Sequence, residues 1–352
     1  MRDFIEENLR KMVKIESKSE GPMEEIIEFT TALLDDIELD HEVIEGDDFN
    51  PVIVASHGEG GVCFSGHLDT VPIGDGWEHE QGDIVDDKMY GRGTLDMKGP
   101  CISIIATAKE LLNKDIPFSI IFTTDEENTM NGAKHVSDRP EVIEAPVVLV
   151  CEPTDMRVVN QEKGVYQFEV ITRGKNAHAS MPEKGENAIV KMLPILKRLS
   201  MKNNIPAGED EISCCVDVIE GGEATNVIPD SCSAEVDVRF PDHFNREILE
   251  RYLFDPIDED FELEEIQFLE SVKLDEDKDS VQTLIEVADA EKWSVPYGTE
   301  MVRFCKNNEN TIIFGPGRVD VAHQPDEYID LPELVKVVDI YVDYAEAMVD
   351  SG

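Results

Sequence analysis

Three short segments in the first half of the chain carry nearly unbroken apolar runs: GVCFSG at 61–66, FSIIFTT at 118–124 and APVVLVCE at 145–152. A strand that is apolar on both faces must be covered on both, because a solvated face would alternate polar with apolar residues. The segments around them have helical spacing. MKGPCISIIATAKELL (97–112) repeats Ile, Ala and Leu at that period, MNGAKHV looks helical, and a helical pattern runs from about Asp3 to Leu34. Strands alternating with helices build a parallel sheet. The chain is therefore expected to be an α/β protein with a mostly parallel central sheet and helices on both faces. Such a sheet binds ligands at the carboxyl ends of its strands.

Near Gly164 the pattern changes. VYQFEVITRG alternates as an antiparallel strand does, a helix is expected from about Asn187 to Ser200, and EISCCVDVIEGG and SCSAEVDVRFP follow as two more alternating strands. After about residue 272 the earlier pattern returns, with SVQTLIEVADA as a helix, NTIIFGPG as a strand and a last helix over about Leu331 to Met348. Residues 1–163 and 272–352 are thus assigned to one domain. Residues 164–271 form a small α+β domain inserted into it. No internal repeat or low-complexity linker interrupts either part.

Charge limits the partners. Asp and Glu total 77 against 31 Lys and Arg, a formal net charge of −46. Nucleic acid phosphates would be repelled by such a chain. Acidic runs such as DDIELDHEVIEGDDF are interleaved with apolar residues, so they read as solvated faces of folded elements. A charge of this size suits a salt-rich cytoplasm, where screening removes self-repulsion. No apolar run approaches the ~18 residues of a membrane span, and the N-terminus lacks the apolar core of a signal peptide. A cytoplasmic protein is expected. The seven cysteines are odd in number and none are spaced as CxxC, which argues against a disulfide framework or a structural zinc site.

The three apolar strands all end in polar residues. The first runs into His67 and Asp69, the second into Glu126 and Glu127, and the third into Glu152; Asp96 lies just before the helix expected from Met97. Taken singly, each has an ordinary explanation: a structural histidine, a surface glutamate pair, a helix N-cap. Together they put an imidazole and several carboxylates on one rim of one sheet, which is costly unless cations neutralise them. Mixed imidazole and carboxylate donors suit Zn2+, Mn2+ or Co2+. A carboxylate shared by two cations is the usual core of a two-metal site, where a general base is still required. One member of the Glu126–Glu127 pair could supply it. On a strand, residues two apart share a face, so His67 and Asp69 can point into one site. His323, in the Gly/Pro-rich loop FGPGRVDVAHQPDEYI after the last strand, could close the site. His178, in GKNAHASMP of the inserted domain, is expected to be exposed.

These residues resemble the dinuclear metallohydrolase family that includes acetylornithine deacetylase, succinyl-diaminopimelate desuccinylase, aminoacylase and zinc carboxypeptidases. The matching segments are SGHLDTVP, YGRGTLDMKG, TTDEEN, CEPT, GKNAHASMPEKGENAI, GGEATNVIPDSCSAEVDVR and GPGRVDVAHQPDEY, spread over nearly the whole chain. The resemblance implies two divalent cations, Zn2+ first, with Co2+ or Mn2+ as alternatives. It implies His67 as a ligand of one and His323 of the other, Asp96 as the bridge, and Glu127 and Glu152 as the remaining ligands, one per metal. Glu126 would be the general acid/base and Asp69 the carboxylate that orients His67. The inserted domain would mediate a homodimer, with His178 stabilising the oxyanion in the partner subunit's site. Asn226 and Arg239 would contact the substrate. Within the family, AHQPDEY and YGTEMVRF are similar to acetylornithine deacetylases, with Glu300 placed to attract a cationic amine. The implied reaction is hydrolysis of N2-acetyl-L-ornithine to ornithine and acetate, a step of arginine biosynthesis. Desuccinylation, a carrier-protein-linked lysine or ornithine hydrolase and other aminoacylase- or carboxypeptidase-type reactions stand as alternatives within the family. A dinuclear phosphoesterase would want a Lys/Arg cluster or a Gly-rich phosphate loop beside these motifs, and the sequence has neither. A non-catalytic binding protein would not need Glu126.

Overall fold

The computed structural model describes residues 1–47, 49–200, 211–255 and 257–350. They divide into two compact units. The first comprises Met1–Asn160, Leu274–Trp293 and Thr299–Gly352, and the second comprises Gln161–Lys273 with the short piece Ser294–Gly298.

The first unit is built on a mixed sheet with helices on both faces, the α/β class indicated by the sequence. At its centre Phe118–Thr123, Val62–His67, Val148–Val150 and Thr311–Ile313 run parallel to their neighbours. Every residue of these four strands is buried, as the continuous apolar runs require. The flanks are antiparallel: Val52–His57 pairs with Phe118–Thr123, His41–Ile44 with Val52–His57, and Val158–Glu162 with Thr311–Ile313. The helices Arg2–Met12, Lys98–Lys114 and Leu331–Asp350 pack together. Parallel register is what positions the site, because it brings the carboxyl ends of the central strands to one edge.

Two local expectations change. The helical pattern from Asp3 to Leu34 is two helices, Arg2–Met12 and Glu24–Asp36. Gly21 and Pro22 lie between them, a pair that continues a helix poorly. The third apolar run is a strand only over Val148–Val150, which leaves Glu152 on the loop beyond it.

The second unit has an antiparallel sheet in the order Ser213–Gly221, Ser231–Phe240, Gly164–Arg173, Glu262–Leu269. Buried and less buried residues alternate along Ser231–Phe240, the signature of one covered face. The helices Ala188–Ser200 and Arg246–Phe254 contribute Met192, Ile195, Leu199, Leu249 and Leu253 to a core shared with Phe168, Val236 and Val238. The helix Arg246–Phe254 and the strand Glu262–Leu269 were not anticipated. ELEEIQFL is too acidic and too exposed to alternate visibly.

Candidate metal centre

His67 is the last residue of the strand Val62–His67 and is 1% exposed. Glu126 and Glu127 follow Phe118–Thr123, Glu152 follows Val148–Val150, and His323 follows Thr311–Ile313. Asp96 precedes the helix Lys98–Lys114 but does not cap it, since the cap position is Met97 and carries no side-chain hydrogen bond. Its carboxylate faces two imidazoles instead.

The donors form two tripods. In one, His67 Nε2 lies 3.0 Å from Asp96 Oδ1 and 3.5 Å from Glu152 Oε1. In the other, His323 Nε2 lies 3.2 Å from Asp96 Oδ2 and 2.9 Å from Glu127 Oε1. Asp96 gives one oxygen to each. Two ligands on a tetrahedral ion with bonds of about 2.0–2.1 Å sit ~3.4 Å apart, so these spacings and this donor set suit two divalent cations. Glu126 also lies near, its carboxylate within 4.8 Å of ligand atoms of His67 and Glu152.

The electrostatics carry the same signature. Burial, reinforced by Glu152 and Glu127, pushes Glu126 well above the usual carboxyl range. Burial and Asp96 do the same to Glu152, and burial raises Glu127. Burial would also raise Asp96, but its contacts with His323 and His67 outweigh that and hold it below the usual range. His323, against Asp96 and Glu127, is pushed up to about 10. Burial opposes the charged form of His67, yet Glu152, Asp69 and Asp96 hold it well above its ordinary value. Without cations, the surrounding carboxylates favour the protonated imidazoles. Metal ions would supply that positive charge directly.

Asp69 does more than orient an imidazole. It is fully buried, and its Oδ1 lies 3.4 Å from His67 Nδ1. The Asp69 carbonyl faces the same nitrogen at 2.9 Å. Its carboxylate also accepts from the backbone N–H of Glu126 and of Glu127, each at 3.1 Å, and from Ser19 Oγ at 2.6 Å. The strand ends at His67, so the two residues meet through the loop rather than by strand parity. Ser19 was not singled out in the sequence, where a lone serine in KSE carries no signal.

Glu300 is 1% exposed, with Oε2 3.4 Å from Ser65 Oγ. Burial pushes it up to about 8, and its Oε1 has no hydrogen-bond partner among the described residues. Three further expected residues belong to the second unit. His178 is exposed, with Nδ1 2.8 Å from Ser180 Oγ. Asn226 is exposed beside it, its carbonyl accepting from Ala179 N–H at 2.9 Å. Arg239 is forked onto Asp237, at 2.7 and 2.8 Å.

A parallel-centred sheet with two imidazole–carboxylate tripods at the carboxyl ends of its strands defines a class of protein, the metal-dependent hydrolases of α/β type. Residues 63–347 match peptidase family M20/M25/M40, and the chain belongs to that family. An acetylornithine deacetylase from Aliivibrio salmonicida is 31% identical over 314 residues, 83% of this chain and 82% of the relative. A probable succinyl-diaminopimelate desuccinylase from Staphylococcus aureus is 25% identical and covers 95% of this chain and 94% of its own length. Among solved structures, aminopeptidase PepT from Bacillus cereus shares the fold with a TM-score of 0.79 at 21% identity, covering 99% of each chain. A dinuclear metal-binding M20 peptidase from Bacillus subtilis has a TM-score of 0.74 at 16% identity, over 99% of this chain and 98% of the other.

Proposed function

We propose that the protein is an amidohydrolase acting on N-acyl amino acids, with N2-acetyl-L-ornithine as substrate and ornithine and acetate as products. The observation that carries the hydrolytic reading is the pair of tripods joined through Asp96, with the Glu126 carboxylate close beside His67 and Glu152. The substrate assignment is supported by relatives named acetylornithine deacetylase at 30–31% identity and by the AHQPDEY and YGTEMVRF stretches.

His67, Asp96 and Glu152 would hold one cation, and Asp96, Glu127 and His323 the other. Two such cations, Zn2+ or else Co2+ or Mn2+, supply a nucleophilic water near neutral pH and polarise the substrate carbonyl. Glu126 takes the proton from the attacking water and returns it to the nitrogen of the departing amine. Asp69 keeps Nδ1 of His67 engaged so that Nε2 faces the site. In a homodimer, His178 of one copy stabilises the oxyanion in the other. Asn226 and Arg239 contribute polar contacts from the second unit, and Arg239 must exchange Asp237 for a substrate carboxylate to do so. Exposed apolar residues support the dimer. Val190 and Leu193 are 58% and 56% exposed on one face of the helix Ala188–Ser200, and Ile219 is 55% exposed on the edge strand Ser213–Gly221.

Succinyl-diaminopimelate desuccinylation is the second reading, favoured by relatives of that name that span nearly the whole chain. A panel of acetylornithine, succinyl-diaminopimelate and acetylmethionine, with metal added and at low and molar salt, separates the two. Acetylornithine should turn over at the highest kcat/KM, and a preference for another member of the panel would displace it. Glu126→Ala should lower kcat by ~10²–10⁴ or more, the span of a lost general base, with two metal equivalents retained. Turnover persisting in the metal-loaded variant would remove Glu126 from this role.

A further inference from the structure

Asp96 serves both tripods, and one buried side chain holds its backbone. Glu327 is fully buried. Its Oε1 accepts from the backbone N–H of Leu95 at 3.0 Å and of Asp96 at 3.3 Å, and its Oε2 pairs with Arg92 Nη1. The Glu327 carbonyl accepts from Gly91 N–H at 2.9 Å and from Thr94 Oγ1 at 3.4 Å. Arg92, 4% exposed, donates through Nε to the carbonyl of Pro72 at 3.2 Å. Directly after Glu327, Tyr328–Asp330 pairs with Lys88–Tyr90. Glu327 therefore joins the segment that carries His323 to the segment that carries Asp96. A buried ion pair is tolerated only when its remaining hydrogen-bonding groups are satisfied, and here backbone groups of the Asp96 segment satisfy the carboxylate.

We propose that Glu327, backed by Arg92, is the positioning residue for the cation held by Asp96, Glu127 and His323. It fixes the Asp96 carboxylate relative to the His323 imidazole, two of that cation's three protein ligands. At the other cation it fixes only Asp96, so its loss must weaken the two sites unequally. This inference rests on the two-cation reading above.

The test titrates Zn2+ into metal-stripped protein against a chromophoric chelator, and Co2+ while following its visible absorption bands. Two equivalents binding to the unaltered protein establish the two-cation reading, and a single equivalent would refute that reading rather than this inference. His323→Ala identifies which equivalent belongs to the second tripod. Glu327→Gln should weaken that equivalent on the order of 10–100-fold, as lost support behind a metal ligand does, and change the other less than about threefold. The double variant with His323→Ala should lose little beyond His323→Ala alone. Equal weakening of both equivalents, or none, would overturn the proposal, because a purely structural role lowers stability without separating the sites. If Glu327→Gln does not fold, Glu327→Asp keeps the charge facing Arg92 while drawing the carboxylate away from Leu95 and Asp96. The same unequal loss is expected there, and unchanged affinities would overturn the proposal equally.

Discussion

The Asp69 carboxylate accepts from Ser19 and from the backbone amides of Glu126 and Glu127 while its own residue holds Nδ1 of His67. One buried side chain thus aligns a ligand from the first central strand with the glutamate pair that follows the next. The pairing of Asp69 with His67 was expected from strand alternation, but the strand ends at His67 and the loop beyond it brings the two together. The grip of Asp69 on the glutamate amides was not legible, because contacts between residues 57 and 58 apart in sequence have no local pattern. The burial of Glu300 was hidden for a similar reason. Nothing in the YGTEMVRF stretch itself signals the contact of Glu300 with Ser65, a residue 235 positions away. The folded value of Glu300, about 8, lies above the ordinary 4.5. The folded chain therefore holds a proton that the unfolded chain releases as pH rises above 4.5, so this group's contribution to stability is complete below 4.5 and fades as pH climbs through 8. In metal-stripped protein, Glu300→Gln should flatten the fall in stability between pH 5 and pH 8, measured by urea unfolding. An unchanged slope would mean that Glu300 does not titrate in this window.

At the scale of elements, the four parallel central strands did most to assemble the site. Their unbroken apolar runs were readable because burial on both faces leaves no polar alternation. The antiparallel flanks were harder: His41–Ile44 is partly exposed and acidic, and Val52–His57 was not picked out. In the second unit, the helix Ala188–Ser200 turns Met192, Ile195 and Leu199 into the core while leaving Val190 and Leu193 outside. An apolar stripe on the far side of an amphipathic helix is a usual mark of an interface. If two copies pair through this face as proposed, Leu193→Asp should leave the protein monomeric, read by sedimentation velocity at micromolar concentration. A variant that sediments with the unaltered protein as a dimer would place the interface elsewhere, and an unaltered monomer would dismiss it.

For the molecule as a whole, the net charge of −46 predicts a stability that depends on salt. Like charges on a compact surface repel over a Debye length of about 10 Å at 0.1 M salt and about 3 Å at 1 M. The melting temperature should rise between 0.1 and 2 M KCl, and more steeply in metal-stripped protein, whose acidic cluster lacks counter-charge. A Tm independent of KCl would show that the surface charge does not govern stability. Among the described residues no helix is long and apolar enough to cross a membrane. The sequence by itself determined the α/β class and singled out the candidate metal donors, because apolar continuity, residue type and order along the chain are local properties. Tertiary structure alone decided which oxygen of Asp96 faces which imidazole, that Asp69 holds two backbone amides, that Glu300 is buried, and that Glu327 ties the His323 segment to Asp96. Each of these depends on loops from distant parts of the chain meeting where parallel strands end. Such meetings are set by the packing of the whole sheet and its helices, and no spacing within a single segment encodes them.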